Sequence, residues 1–205
     1  MPIVIGAAPE SDFSDPLGLM SDCHRRIERF LDVLLVVAAE GAGRELSAAQ
    51  REGLDVALRY FRKAGPLHTE DEEESLFPRL RQQGGEDLLA IMDKIERLEE
   101  DHRKAAALHA EVSRLGEKWL EEGVLSPQEA GGLSESLWNL RLLYQAHIAI
   151  EDYQLFPAAS VTLAPSLIAV IGREMAVRRH VDPDVEQTLS RCAARRAVTL
   201  QCVEV

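Results

Sequence analysis

HTEDEEESLFP at residues 68–78 returns as HIAIEDYQLFP at residues 147–157. Both segments follow the pattern HxxxExxxLFP, and their first histidines are 79 residues apart. Other pairs keep nearly the same spacing, namely Ser47 with Ser126, Asp22 with Asp101, and His24 with His102. Several pairs at one spacing predict a duplicated unit of two helices.

Helix signals surround both repeated segments. Ser47 and Ser126 are residue types that cap helix N-termini, and each has a Gln or Glu three residues later. Asp15-Pro16 offers another cap followed by proline in the first turn. Apolar residues after these caps recur at the i, i+3, i+4 spacing of amphipathic helices. The predicted long helices run from Asp15 to Gly41 or Gly43, from Ser47 to Pro78, from about Glu86 to Leu120, and from Ser126 to Pro157.

The short links between these helices predict an all-α, up-down-up-down four-helix bundle. Gly65-Pro66 is expected to kink or interrupt the second helix. Two shorter helices are expected afterwards, from Pro165 to Arg178 and from Asp182-Pro183 onward, and residues 198–205 give no clear prediction. The expected organisation is a leader over residues 1–14, the bundle over 15–160 and a short helical C-terminal extension over 161–205.

Composition excludes several classes of partner. The 205 residues are 46% hydrophobic but only 5% aromatic, which favours helices over a β-sandwich. A net charge of −12 repels phosphate backbones, so we expect no nucleic-acid partner. The longest apolar run, residues 33–39, is far shorter than the roughly 20 residues of a membrane span. The first residues lack a signal-peptide pattern, and three cysteines without a CxxC motif favour a cytoplasmic location.

The HxxxE spacing places an imidazole and a carboxylate on one helix face. His68 with Glu72, and His147 with Glu151, would come from the second and fourth helices, and His24 and His102 from the first and third. Four nitrogens and two carboxylates without thiolate suit two iron or manganese ions better than a structural zinc site. A single HxxxE is commonly a solvated pair, and Glu72 stands in an acidic run. The duplication and the apolar flanks of Glu151 favour metal binding.

The order H…HxxxE…H…HxxxE, with LFP after each glutamate, resembles the hemerythrin-like (HHE cation-binding) domain family over about residues 15–160. Its spacing is close to that of bacterial di-iron proteins implicated in iron–sulfur repair and the nitric oxide response. The resemblance implies a non-haem di-iron centre with an oxo or hydroxo bridge, with manganese as a possible replacement. His24 and His68 would bind one iron, His102 and His147 the other, and the two glutamates would bridge them.

The resemblance also implies function. We expect reaction with, or sensing of, O2, NO or peroxide in a monomer or homodimer, and leave open whether the protein is an enzyme. The alternatives are an iron donor or repair factor for iron–sulfur centres, and an iron-binding sensor module without catalysis. Oxygen-carrying hemerythrins have a further histidine where this chain has Ala106, which counts against a reversible oxygen carrier.

The sequence leaves the roles of several residues near the predicted ligands open. Glu28 either faces solvent or joins the iron of His24, and Asp152 is an alternative to Glu151 as the bridge. Asp22 and Asp101 either orient imidazoles from outside the centre or balance charge at helix N-termini. His109 is expected in the core or along a channel, and Tyr144 either packs, bonds a ligand or gates access.

Overall fold

A computed structural model describes residues 11–83 and 88–181. The regular elements in these two ranges are helical, in agreement with the predicted all-α class. They are α1 (Pro16–Gly41), α2 (Ala48–Glu70), a first π segment (Asp71–Leu76), α3 (Phe77–Arg81), α4 (Leu88–Glu122), α5 (Pro127–Ile150), a second π segment (Glu151–Leu155), α6 (Phe156–Thr162) and α7 (Pro165–Arg178).

Three of the predicted helix starts are confirmed by capping contacts, at Asp15, Ser47 and Ser126. The Asp15 carboxylate accepts the Gly18 backbone N–H at 3.1 Å, and Pro16 occupies the first turn of α1. Ser47 and Ser126 each form a capping box, with Gln50 and Glu129 as the reciprocal partners. These contacts satisfy N–H groups that have no partner within the helix.

The helix ends were predicted less well. The second helix is not interrupted, because α2 continues through Pro66 to Glu70. Pro66 is exposed, so the carbonyl that loses its N–H partner lies on a face where water can bond it. The third helix ends at Glu122 instead of Leu120, and its predicted start at Glu86 lies outside the described residues.

The prolines of the two LFP motifs do not terminate their helices, which corrects the predicted ends at Pro78 and Pro157. A π segment precedes each motif, and α3 and α6 then begin at Phe77 and Phe156. Each proline falls in the first turn of the new segment, where its missing N–H leaves no bond unmade. The last predicted C-terminal helix, from Asp182, and residues 198–205 lie outside the described residues, whereas α7 has the predicted bounds.

Four helices pack side by side: α1 contacts α2 and α5, and α4 contacts α2 and α5. Two apolar clusters fill the space between them. One is built around Phe30, Leu58 and Trp119, and the other around Phe77, Phe156 and Met175, so α7 covers one end of the structure. Within residues 11–83 and 88–181, no helix has both the length and the apolar character that a bilayer span requires.

Candidate metal centre

The six predicted ligands come together between the two apolar clusters. They form two groups that share both glutamates, and within each group one ligand atom per residue lies within 4.8 Å of all the others. The first group is His24, His68, Glu72 and Glu151, and the second is Glu72, His102, His147 and Glu151. Glu72 and Glu151 are fully buried, and the His102 side chain, the most accessible with that of His68, is 8% exposed.

The two oxygens of Glu72 face different groups. Oε1 lies 3.3 Å from His68 Nε2 and 3.9 Å from His24 Nε2. Oε2 lies 3.2 Å from His102 Nε2. A carboxylate with one oxygen directed at each group has the geometry of a bridge between two cations.

Glu151 lies at the opposite side of the same space. Its Oε2 is 3.1 Å from His24 Nε2 and 3.1 Å from His147 Nε2, so this carboxylate also reaches both groups. The Nε2 atoms of His102 and His147 are 3.2 Å apart. All four histidines therefore direct Nε2 toward the two carboxylates.

Several polar atoms at this place are buried without hydrogen bonds. Among the described residues, no donor meets the four oxygens of Glu72 and Glu151 with hydrogen-bond geometry, and His24 Nε2 is also unpaired. Buried charges without partners are costly, and proteins accept them where a cation compensates. The arrangement fits a pair of metal ions, and its nitrogen and oxygen donors suit iron or manganese. Cys23 belongs to neither group.

The carboxylates are ionised despite their burial. Burial opposes the charge of Glu72, but His68, His102 and His24 hold its pKa well below the ordinary value. Burial and the charge of Glu72 oppose ionisation of Glu151, yet His147 and His24 keep its pKa low. Two anions thus face one small space.

The histidines respond differently to that negative charge. Burial disfavours protonation of His24, but Asp152, Glu151 and Glu72 outweigh it and raise its pKa well above the ordinary value. Burial is likewise outweighed at His102, whose pKa Glu72 and Glu73 raise to about 9. At His68 burial prevails and lowers the pKa. A metal would have to displace protons from His24 and His102.

The two π segments begin at or just before the glutamates. In each, the backbone N–H of the phenylalanine of LFP donates to the glutamate carbonyl five residues earlier, Phe77 to Glu72 and Phe156 to Glu151. The proline that follows cannot donate, and in an α-helix its ring would clash with the carbonyl four residues back. We attribute the wider turn ahead of each proline to this clash. π turns are frequent at functional sites.

A second acidic residue follows each glutamate and holds a histidine of the other repeat. Asp152 accepts a hydrogen bond from His24 Nδ1 at 2.9 Å and from Ser21 Oγ at 2.7 Å. Glu73 accepts one from His102 Nδ1 at 2.8 Å. Asp152 therefore orients a predicted ligand instead of replacing Glu151. Sequence reasoning missed the role of Glu73, although the 79-residue spacing that pairs it with Asp152 was available as a signal.

The other neighbours are arranged less symmetrically. Asp101 Oδ2 lies 3.9 Å from His147 Nδ1, close enough for attraction but too far for a hydrogen bond. Asp22 accepts hydrogen bonds from the Ser11 backbone N–H at 2.8 Å and from the Arg25 guanidinium, so it holds the segment before α1 against that helix. Glu28 is exposed, which supports the solvent interpretation.

The residue before Glu72 connects the centre to α7. Asp71 is fully buried and accepts hydrogen bonds from Arg178 Nη1 at 2.9 Å and from Arg179 at 3.1 and 2.5 Å. Arg178 also donates to Ser75 Oγ at 2.7 Å. The equivalent residue of the second repeat is Ile150, so only the first π segment is held in this way.

Comparison with known proteins agrees with this geometry. Residues 15–159 match the hemerythrin HHE cation binding domain. An uncharacterized protein of Haemophilus influenzae is 27% identical over 169 residues, which cover 82% of this chain and 92% of that protein. The family match spans well over half of the chain and includes all six buried side chains. The chain therefore belongs to the hemerythrin HHE cation-binding domain family.

Proposed function

We propose that the protein is a non-haem di-iron protein that reacts with or senses O2, NO or peroxide. The observation that carries the proposal is the sharing of Glu72 and Glu151 by two otherwise separate histidine pairs. His24 and His68 would hold one iron, His102 and His147 the other, and the glutamates would bridge them. When bound, iron supplies Lewis-acid and redox chemistry to small ligands.

The side chains of the chain prepare this site in three ways. The glutamates offset the charge of two divalent ions, so that the ions are not buried uncompensated. Asp152 and Glu73 accept the outer N–H groups of His24 and His102, which directs each Nε2 inward. The two apolar clusters pack on either side of the six side chains.

We also propose the up-down-up-down arrangement, with the bundle over residues 15–160 and the extension over 161–205, for a monomer or homodimer in the cytoplasm. Its support is the order in which each helix meets the two apolar clusters. Helices α1 and α4 pass from the cluster of Phe77 and Phe156 to that of Phe30 and Trp119, and α2 and α5, with their π segments, pass the opposite way.

The test is spectroscopic. The purified protein is reduced with dithionite and exposed separately to O2, NO and peroxide, and absorption is recorded after each addition. We expect a change with at least one of the three, and none in the double variant Glu72→Ala/Glu151→Ala. If the absorption spectrum of the reduced, iron-loaded protein changes with none of the three, the proposed reactivity is refuted.

A sensor without catalysis is the second candidate, and the Asp71 contacts favour it. Asp71 is adjacent to Glu72 and is held by Arg178, the last residue of α7, and by Arg179, which follows the helix, so a shift of Glu72 reaches the C-terminal helix directly. Amide hydrogen exchange of residues 165–178 tests this candidate. A sensor predicts faster or slower exchange there when NO is added, whereas unchanged exchange rejects it. An iron donor, the third alternative, would lose iron readily to a chelator.

A further inference from the structure

A cavity of about 400 Å³ lies directly beside the metal centre. His68, His102 and His147 form its inner wall. One water molecule occupies roughly 30 Å³ in the liquid, so the cavity is about ten times larger than a diatomic ligand requires. Sites for small organic molecules begin at roughly 300 Å³. The size points to a ligand larger than O2 or NO.

The rest of the wall is mainly apolar. Ile27, Phe61, Pro66, Ala105 and Ala106 contribute to it. Ala106 lies four residues after His102, and its small side chain leaves space in the wall. An apolar wall favours apolar ligands because it removes their surface from water.

Two polar side chains in the wall bond each other. His109 Nε2 and the Tyr144 hydroxyl are 2.8 Å apart. Burial lowers the pKa of His109 to about 4 and raises that of Tyr144, so both are uncharged near pH 7. A hydroxyl has one donor and two acceptor positions, so Tyr144 keeps hydrogen-bonding capacity beyond its bond to His109.

The charges at the cavity disfavour ionic ligands. Glu70 is the carboxylate among the described lining residues, and it repels anions. Either kind of ion would lose its hydration against the mainly apolar wall. An uncharged molecule has neither cost.

We propose that the cavity binds an uncharged, mainly apolar organic molecule, with the Tyr144 hydroxyl, supported by His109, as its hydrogen-bonding anchor. The inference deepens the proposed function and rests on it in one respect. The metal centre would be the place where the bound molecule meets the reactive small ligand. The cavity itself is a property of the polypeptide.

Phenol is the probe, because it is small, uncharged and carries one hydroxyl. Calorimetric titration of the full chain as purified should show saturable binding with a Kd on the order of 0.1–1 mM, within the range open to a ligand of this size. Benzoate and benzylamine, the anionic and cationic counterparts, should bind at least about tenfold more weakly. Absence of saturable phenol binding, or benzoate affinity equal to that of phenol, overturns the proposal.

Gly65→Leu is designed to reduce the volume of the cavity. Gly65 lines the cavity, and a Cβ at this position meets no atom within 4 Å, so the first carbon of a side chain can be placed there without a clash. Gly131→Leu is the matched control, because Gly131 is also helical, has the same free space and lies away from this cavity. We expect phenol affinity to fall at least tenfold in Gly65→Leu alone. Equal affinity in the two variants overturns the proposal.

Tyr144→Phe tests the anchor. Loss of one hydrogen bond should weaken phenol binding about threefold to tenfold and leave toluene binding unchanged. Equal losses for both probes would mean that Tyr144 only shapes the wall. Metal content is measured on every sample: phenol binding without bound iron contradicts the di-iron centre alone, and full iron occupancy without phenol binding contradicts the cavity proposal alone.

Discussion

Asp71→Asn tests whether α7 holds the first π segment. The substitution keeps the size of the side chain but removes the negative charge of the carboxylate. That carboxylate accepts three guanidinium hydrogen bonds, from Arg178 at 2.9 Å and from Arg179 at 3.1 and 2.5 Å. Asp71 is fully buried, so water cannot replace these contacts. Breaking a buried ion pair costs about 3–5 kcal/mol, and because the amide oxygen is retained we expect a loss of about 3 kcal/mol.

Urea unfolding followed by circular dichroism measures this loss. For a chain of this length a destabilisation of about 3 kcal/mol lowers Tm by roughly 6–12 °C. Glu174→Gln is the matched control, because Glu174 pairs with Arg79 at 2.8 and 3.0 Å but its side chain is 38% exposed. An exposed pair contributes about 1 kcal/mol or less. If Asp71→Asn costs no more than Glu174→Gln, α7 does not hold the π segment as described.

Three further predictions follow from the site. The pKa of His109 is about 4 in the fold and 6.5 ordinarily, so the unfolded chain takes up the proton at a higher pH than the folded chain, and the free energy of unfolding falls as pH drops below 6.5. Between pH 7 and 5 the loss is about 2 kcal/mol. Urea unfolding of His109→Phe at the two pH values should not show this loss. Glu72→Ala/Glu151→Ala should abolish metal binding while circular dichroism keeps most of the helix signal; retained metal contradicts the bridges. Asp152→Asn should weaken metal affinity about 10–100-fold in a competitive chelator titration, whereas exposed Glu28→Ala should change nothing; equal effects would contradict the orienting role of Asp152.

Local signals made the helix starts predictable. Ser47 and Ser126 bond backbone groups only three residues away, so the sequence pattern and the structure carry the same information. The duplicated HxxxE pattern identified four of the side chains that the fold brings together, because i and i+4 share a helix face. His24 and His102 were identified by their own match, at a spacing of 78 residues.

The LFP motifs show where local rules fail. The ring of a proline would clash with an α-helical carbonyl four residues back, but a π turn ahead of Pro78 and Pro157 relieves this conflict, and the helix continues. The sequence motif shows the proline but not the wider turn, so the predicted ends at Pro78 and Pro157 were wrong.

Contacts between distant residues were harder to predict. Glu73 stands in an acidic run that resembles a solvated face, yet it bonds His102 on another helix, and the 79-residue spacing that pairs it with Asp152 was its signal. Asp71 in the same run is buried by arginines more than 100 residues later. The repeat pairs Asp71 with Ile150, so neither helical periodicity nor the duplication indicates that contact.

Counting the metal in protein purified from iron-replete cells tests the central claim most directly. Elemental analysis of the full chain should give two iron ions per chain, because two separate pairs of histidines share the carboxylates of Glu72 and Glu151. His68→Ala and His147→Ala should each lower that count, since each removes a ligand from a different group. A count near one, or zinc in place of iron, would contradict the di-iron centre.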